Sequence, residues 1–237
     1  MEKAKFYGVG VGPGDPGLIT LRAVEVLQKV QTVAIPKSKL ERESIAWEIA
    51  KHHCPKGVKI LALEMPMTAD REFLETAWQK AAEKVKAELG QGISVAFLTI
   101  GDPSLYSTYH YLLSILKHQL AEDQIETIPG ITAMAAAAAK VNMPLATGDE
   151  PLVILPGIDG LDEYEHYPNL VLMKASRNLP QVYSYLRKTG AQAILATRVG
   201  QTGEEIKYLD PEKELNKVDY MSLVLCKKDW SDGLGGK

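Results

Sequence analysis

The chain has 237 residues, enough for one large domain or two small ones, and its 46% hydrophobic and 24% charged residues exclude a disordered or fibrous chain. A net charge of −3 excludes a global basic surface for nucleic acid, which would need a local patch. Two distant cysteines, Cys54 and Cys226, with no CxxC or HExxH pattern, speak against a disulfide framework or a zinc site, and no apolar run approaches the roughly 18 residues of a membrane span.

Taken in chain order, Lys5–Val11 reads as a strand that runs into the turn Gly12-Pro13-Gly14-Asp15-Pro16-Gly17. Leu18–Val30 carries helical spacing, with Leu18, Leu21, Val24 and Leu27 on one face. Thr32–Ile35 is a short strand stopped by Pro36, Ser44–His52 a short helix and Val58–Leu63 a strand. Asp70–Leu89 is the clearest helix, with Thr68 or Asp70 as its cap and Gly90 as its stop. Ile93–Thr99 is almost wholly apolar, which suits the buried centre of a parallel sheet. Gly101-Asp102-Pro103 ends it, and a helix from about Tyr106 to Leu120 follows.

After Glu122-Asp123 the pattern changes. Pro129-Gly130 leads into an alanine-rich helix, Ile131–Val141. Leu152–Leu155, Leu170–Met173, Ala193–Thr197, Glu205–Leu209 and Ser222–Cys226 read as strands, and Leu179–Lys188 as a helix ended by Gly190. The alternation of strand and helix up to about residue 120, and a second unit with more strand and shorter helices after it, predict an α/β protein of two domains, residues 1–120 and 121–230, with a flexible tail at 231–237. The N-terminal segment lacks the long apolar stretch of a secretion signal, and with so few cysteines a reducing compartment, the cytoplasm, is expected.

Two loops carry chemical information. Gly12-x-Gly14-x-x-Gly17 matches the dinucleotide fingerprint letter by letter, but Pro13 and Pro16 remove backbone N–H groups that a pyrophosphate would need. The next strand ends in Ala34-Ile35-Pro36-Lys37, without the acidic residue that holds a ribose. The alternatives are a plain turn or a loop whose glycines admit the backbone to another ligand. The second loop, Gly101-Asp102-Pro103, follows a buried strand, where ligands of open α/β sheets sit. Asp102 can accept hydrogen bonds there from a ligand, or cap the following helix.

Together, YGVGVGPGDPGLITLRA, LTIGDPSLYSTY and IPGITAMAAAAA resemble the tetrapyrrole methylases, in that family's order and over essentially the whole chain. Ile35-Pro36-Lys37-Ser38-Lys39, Arg42-Glu43-Ser44-Ile45-Ala46, Leu172–Leu179 and Tyr220–Leu223 resemble the group that methylates the C-20 meso carbon of precorrin-2 or cobalt-factor II in corrin ring synthesis. The resemblance implies two α/β domains with a cleft between them, and S-adenosyl-L-methionine as methyl donor, released as S-adenosyl-L-homocysteine. It sets the cofactor at Pro13, Gly101, Asp102, Leu105, Ser107, Thr108, Thr132, Ala133, Met173 and Val199. A homodimer is implied, with a tetrapyrrole as partner and neither nucleic acid nor membrane. Because that substrate carries many carboxylates, Lys37, Lys39 and Arg42 are expected to bind it. No residue is singled out as a base, and no metal is expected. The other readings are a different precorrin methyltransferase, a diphthamide-type methylase, or a non-catalytic nucleotide-binding module.

Overall fold

The computed structural model describes residues 3–37, 44–66, 68–157, 160–177 and 179–230, and the side chains of residues 37 and 177 are outside that description. The chain forms two compact units, Met1–Thr132 and Ala133–Lys237, each with its own five-stranded sheet.

The first sheet is wholly parallel. It contains β1 (Phe6–Gly10), β2 (Thr32–Lys37), β3 (Lys59–Glu64), β4 (Val95–Thr99) and β5 (Ile125–Ile128), in the order β3-β2-β4-β1-β5. Its helices are α1 (Leu21–Leu27), α2 (Ile45–Ala50), α3 (Arg71–Gly90) and α4 (Tyr109–Leu116). Strand side chains alternate between the faces. Phe6, Val95 and Phe97 pack with α3 and α4, while Val9, Ala96 and Leu98 pack with α1 and α2. The near-continuous apolar sequence of β4 follows from being covered on both faces.

Several boundaries differ from the sequence reading, each for a local reason. The Thr20 side chain accepts from the Ala23 N–H, so α1 starts anew at Leu21 after a short 3-10 turn. That rotates its face: Ala23, Val26, Leu27 and Val30 are buried, and Leu21 is 84% exposed. β2 continues through Pro36, beyond Ala34 where pairing with β4 stops, so one side of the strand no longer needs a donor. α4 starts at Tyr109 rather than Tyr106, because Tyr106 has a φ of 49°, outside the right-handed helix. β5 was not expected. Through it, residues 125–128 join the first sheet, and the division falls after Thr132 rather than near Leu120.

The second unit contains α5 (Ala133–Lys140), β6 (Leu152–Leu155), β7 (Asn169–Met173), α6 (Leu179–Thr189), β8 (Gln192–Thr197), β9 (Glu205–Tyr208) and β10 (Ser222–Lys227). The sheet order is β6-β7-β10-β8-β9, with only β6 and β7 parallel. Its core packs Leu179, Val182, Tyr183 and Leu186 of α6 with Leu170, Leu172, Leu195 and Val224 of the sheet. Among the described residues no helix is long and apolar enough to cross a membrane. Cys54 and Cys226 are free thiols.

Candidate functional site

In the first unit the carboxyl ends of β1, β4 and β5 meet backbone to backbone. The Gly12 N–H donates to the Gly101 carbonyl at 3.3 Å, and the Gly101 N–H returns a bond to Gly12 at 2.7 Å. A Cβ on Gly10 would stand 2.6 Å from the Gly101 oxygen and 2.7 Å from the Gly130 nitrogen. One on Gly130 would stand 2.1 Å from that same oxygen. Every obstructing atom is backbone and cannot swing aside. The three strand ends are therefore packed backbone against backbone into one floor, at the end of a parallel sheet where ligands bind.

Asp102 fastens this floor. Its Oδ1 accepts from the Ser104 N–H at 2.7 Å and from the Ser104 hydroxyl, and its Oδ2 accepts from the Gly130 N–H at 2.9 Å. Burial pushes the Asp102 carboxyl up, but these three bonds outweigh it and hold the group below the ordinary range. Asp102 is thus a loop fastener rather than the cap of α4, whose first turn follows Thr108. A carboxylate has about four acceptor positions, so one remains for a ligand.

Gly101, Asp102 and Thr132 come together here: the Gly101 Cβ position is 3.9 Å from the Thr132 Cα. Pro13 is buried in the first loop. Leu105, Ser107 and Thr108 are half-buried in the loop before α4. The Ser107 hydroxyl is occupied internally, bonded to Thr99 Oγ1 at 2.8 Å and accepting from the Tyr109 N–H at 3.1 Å. The Tyr109 hydroxyl reaches Thr127 Oγ1 at 2.8 Å, tying α4 to β5. Gly8 makes room for that tyrosine, since a Cβ would stand 2.2 Å from its ring. The sequence signal for Gly10 and Gly130 was the glycine at a strand end or beside a proline, but their mutual contact joins segments far apart in the chain.

Lys39 and Arg42 lie outside the described residues, as does the side chain of Lys37, whose backbone ends β2.

In the second unit Ala133 opens α5, and Met173 and Val199 lie at or just beyond the carboxyl ends of β7 and β8. Both strands run antiparallel to β10 between them, so these ends share one edge of the sheet. Val199 is buried. Arg198 donates through Nε and Nη2 to Asp219 Oδ2, both at 2.9 Å, and its N–H bonds the Met221 carbonyl at 2.8 Å. Thr197 and Ser222 join hydroxyls at 2.9 Å.

Among the described non-glycine residues, Tyr106, Asn142, Lys174 and Arg198 occupy left-handed backbone. Two of these follow strand ends, Lys174 after β7 and Arg198 after β8, and Tyr106 lies in the loop between β4 and α4. Such backbone is uncommon outside glycine and concentrates at ligand sites.

The family model for Tetrapyrrole (Corrin/Porphyrin) Methylases matches residues 5–215. A relative from Methanocaldococcus jannaschii named "Probable cobalt-precorrin-2 C(20)-methyltransferase" is 39% identical, over 94% of this chain and 96% of its own. The precorrin-2 C(20)-methyltransferase of Sinorhizobium sp is 32% identical, over 96% of each chain. Among solved structures, a cobalt precorrin-4 methyltransferase superposes with a TM-score of 0.72 at 19% identity, covering 94% of both chains. The uroporphyrin-III C-methyltransferase of Thermus thermophilus, complexed with S-adenosyl homocysteine, gives 0.65 at 19% identity, covering 94% of this chain and 97% of that one.

Proposed function

Because the chain belongs to the tetrapyrrole methylase family, we propose that it is an S-adenosylmethionine-dependent methyltransferase acting on the C-20 meso carbon of a precorrin-2-type tetrapyrrole in corrin synthesis. The near full-length likeness to two C-20 methyltransferases carries the substrate class. The close packing of Gly10, Gly101 and Gly130 backbone holds three strand ends together at the carboxyl end of a parallel sheet, the position at which such sheets take a ligand. The segments Gly101–Thr108, Thr132–Ala133, Met173 and Val199, with Pro13, hold it in this reading. When bound, S-adenosylmethionine supplies a sulfonium methyl that a nucleophilic carbon takes by in-line displacement.

Such a displacement needs alignment above all, and holding two reactants in near-attack geometry is worth roughly 7–11 kcal/mol of barrier. The fastening of Asp102 to Ser104 and Gly130 fixes two of the three loops against each other, so alignment is built in before binding. The same proposal includes a homodimer, S-adenosylhomocysteine as product, a cytoplasmic setting, and substrate contact by Lys37, Lys39 and Arg42.

Calorimetry with S-adenosylhomocysteine and with NAD, followed by a methyl-transfer assay on metal-free and cobalt-loaded precorrin-2, tests this reading. It expects binding of the first ligand, none of the second, and a methyl group on C-20 of one form of the ring. Binding of NAD, or transfer to neither ring, would discard it.

A further inference from the structure

Lys174 is the first residue beyond β7 and has a φ of 56°. A long side chain rarely adopts left-handed backbone, and where it does the surroundings enforce it. Lys174 is half-buried, yet its ammonium has no hydrogen bond or ion pair among the described residues. Arg198 makes the contrast. It stands at the same end of β8, has a φ of 50°, and is neutralised by Asp219.

The register fixes how these two cations are placed. Met173 pairs with Leu223 and Thr197 with Ser222, so the backbones of Lys174 and Arg198 flank the start of β10, two strand spacings or about 10 Å apart. One of the two charges has its counterion. The other has none among the described residues, which leaves its three donors to an incoming anion. Lys174 also adjoins Met173, a cofactor position in the proposed function.

We propose that Lys174 determines ligand specificity by pairing its ammonium with a carboxylate of a bound ligand, an inference that rests on the methyltransferase reading. Two ligands carry that group: the amino-acid end of the cofactor and the acidic side chains of the tetrapyrrole. Lysine supplies a compact charge with three donors, suited to a carboxylate approaching from more than one direction.

Lys174→Gln and Lys174→Arg test this. All three side chains bear the same backbone strain, so differences between the variants report charge. For Lys174→Gln the expected result is an unchanged melting temperature and a rise of about tenfold or more in one constant, as for loss of a charge-assisted hydrogen bond. A rise in the Kd for S-adenosylhomocysteine assigns the cofactor carboxylate, and a rise in the KM for precorrin-2 assigns the substrate. Lys174→Arg restores most of the loss. Parent-like constants in Lys174→Gln overturn the proposal, as does a loss that tracks the melting temperature and is not restored by arginine. A parent protein that neither binds S-adenosylhomocysteine nor methylates the ring overturns the functional reading itself.

Discussion

Asp102 joins two segments by accepting from Ser104 on one side and Gly130 on the other. Replacing it with alanine leaves the Gly130 N–H without its acceptor and frees the loop, while both strands keep their packing. Charge-assisted hydrogen bonds are worth about 1.5–3 kcal/mol, so Asp102→Ala should lower the melting temperature while the fold is retained and, with the loop freed, weaken S-adenosylhomocysteine binding about ten- to hundredfold. Calorimetry and a thermal melt read both. The pH dependence follows from the lowered carboxyl. Its contribution is complete above the ordinary value of 3.8 and is lost as pH falls through the lower folded value. The difference between parent and Asp102→Ala should thus stay flat through neutral pH and close only in strong acid. At Gly130 the argument is steric. Gly130→Ala puts a Cβ where 2.1 Å separates it from backbone oxygen, and overpacking costs about 1–3 kcal/mol. A lowered urea midpoint together with lost ligand binding is expected; an unchanged midpoint would mean that the floor is not as tight as described. Asp102 was legible as a loop residue of interest, but not as a fastener, because its partner Gly130 is 28 positions away. Lys174 was not legible at all as a strained residue, since lysine carries no signature of left-handed backbone.

At the level of elements, the sequence was clearest where local chemistry starts and stops a segment. Asp70 caps α3 by accepting from the Phe73 N–H, as its position before a charged helical run suggests. It was least clear where tertiary packing decides. The four residues Ile-Glu-Thr-Ile of β5 have no apolar run, and become a strand because β1 offers a free edge. One feature of α3 has a stability role that no pattern announces. Glu88 near its end is only 5% exposed, accepts from Thr32 Oγ1 at 3.0 Å and from Lys59 Nζ at 2.5 Å, and so pins α3 to the starts of β2 and β3. The Lys59 hydrogen bond holds its carboxyl below the usual range against burial, which pushes it up. Glu88→Ala leaves the buried Thr32 hydroxyl unpaired and should cost about 1–3 kcal/mol at pH 7 in urea unfolding. For a lowered carboxyl the stabilisation is present above the ordinary value of 4.5 and vanishes as pH falls through the folded one. Parent and variant stabilities should therefore converge in acid.

For the molecule as a whole, the chain divides after Thr132. Sequence periodicity showed two α/β units but set the boundary one strand too early, because β5 belongs to a strand pairing that only the three-dimensional sheet reveals. A ligand that binds only the folded protein adds RT ln(1 + [L]/Kd) to its stability, about 2.7 kcal/mol at a hundredfold excess over Kd. S-adenosylhomocysteine should therefore slow amide exchange at Gly12, Gly101 and Gly130; equal exchange with and without it would remove these loops from the binding surface.

The place of β1 between β4 and β5 also sets an order of events during synthesis. The first strand to leave the ribosome pairs with strands made much later, Phe6 meeting Val95 on one side and Ile125 on the other. Until Ile125–Ile128 has emerged, β1 is an open edge, and Gly10 has no Gly130 to close against. Long-range parallel pairing of this kind forms slowly and leaves the nascent chain exposed to association. Stalled chains ending before Ile125 should pellet readily and bind no S-adenosylhomocysteine, so that competence for the ligand comes late in translation, no earlier than the last strand of the first sheet.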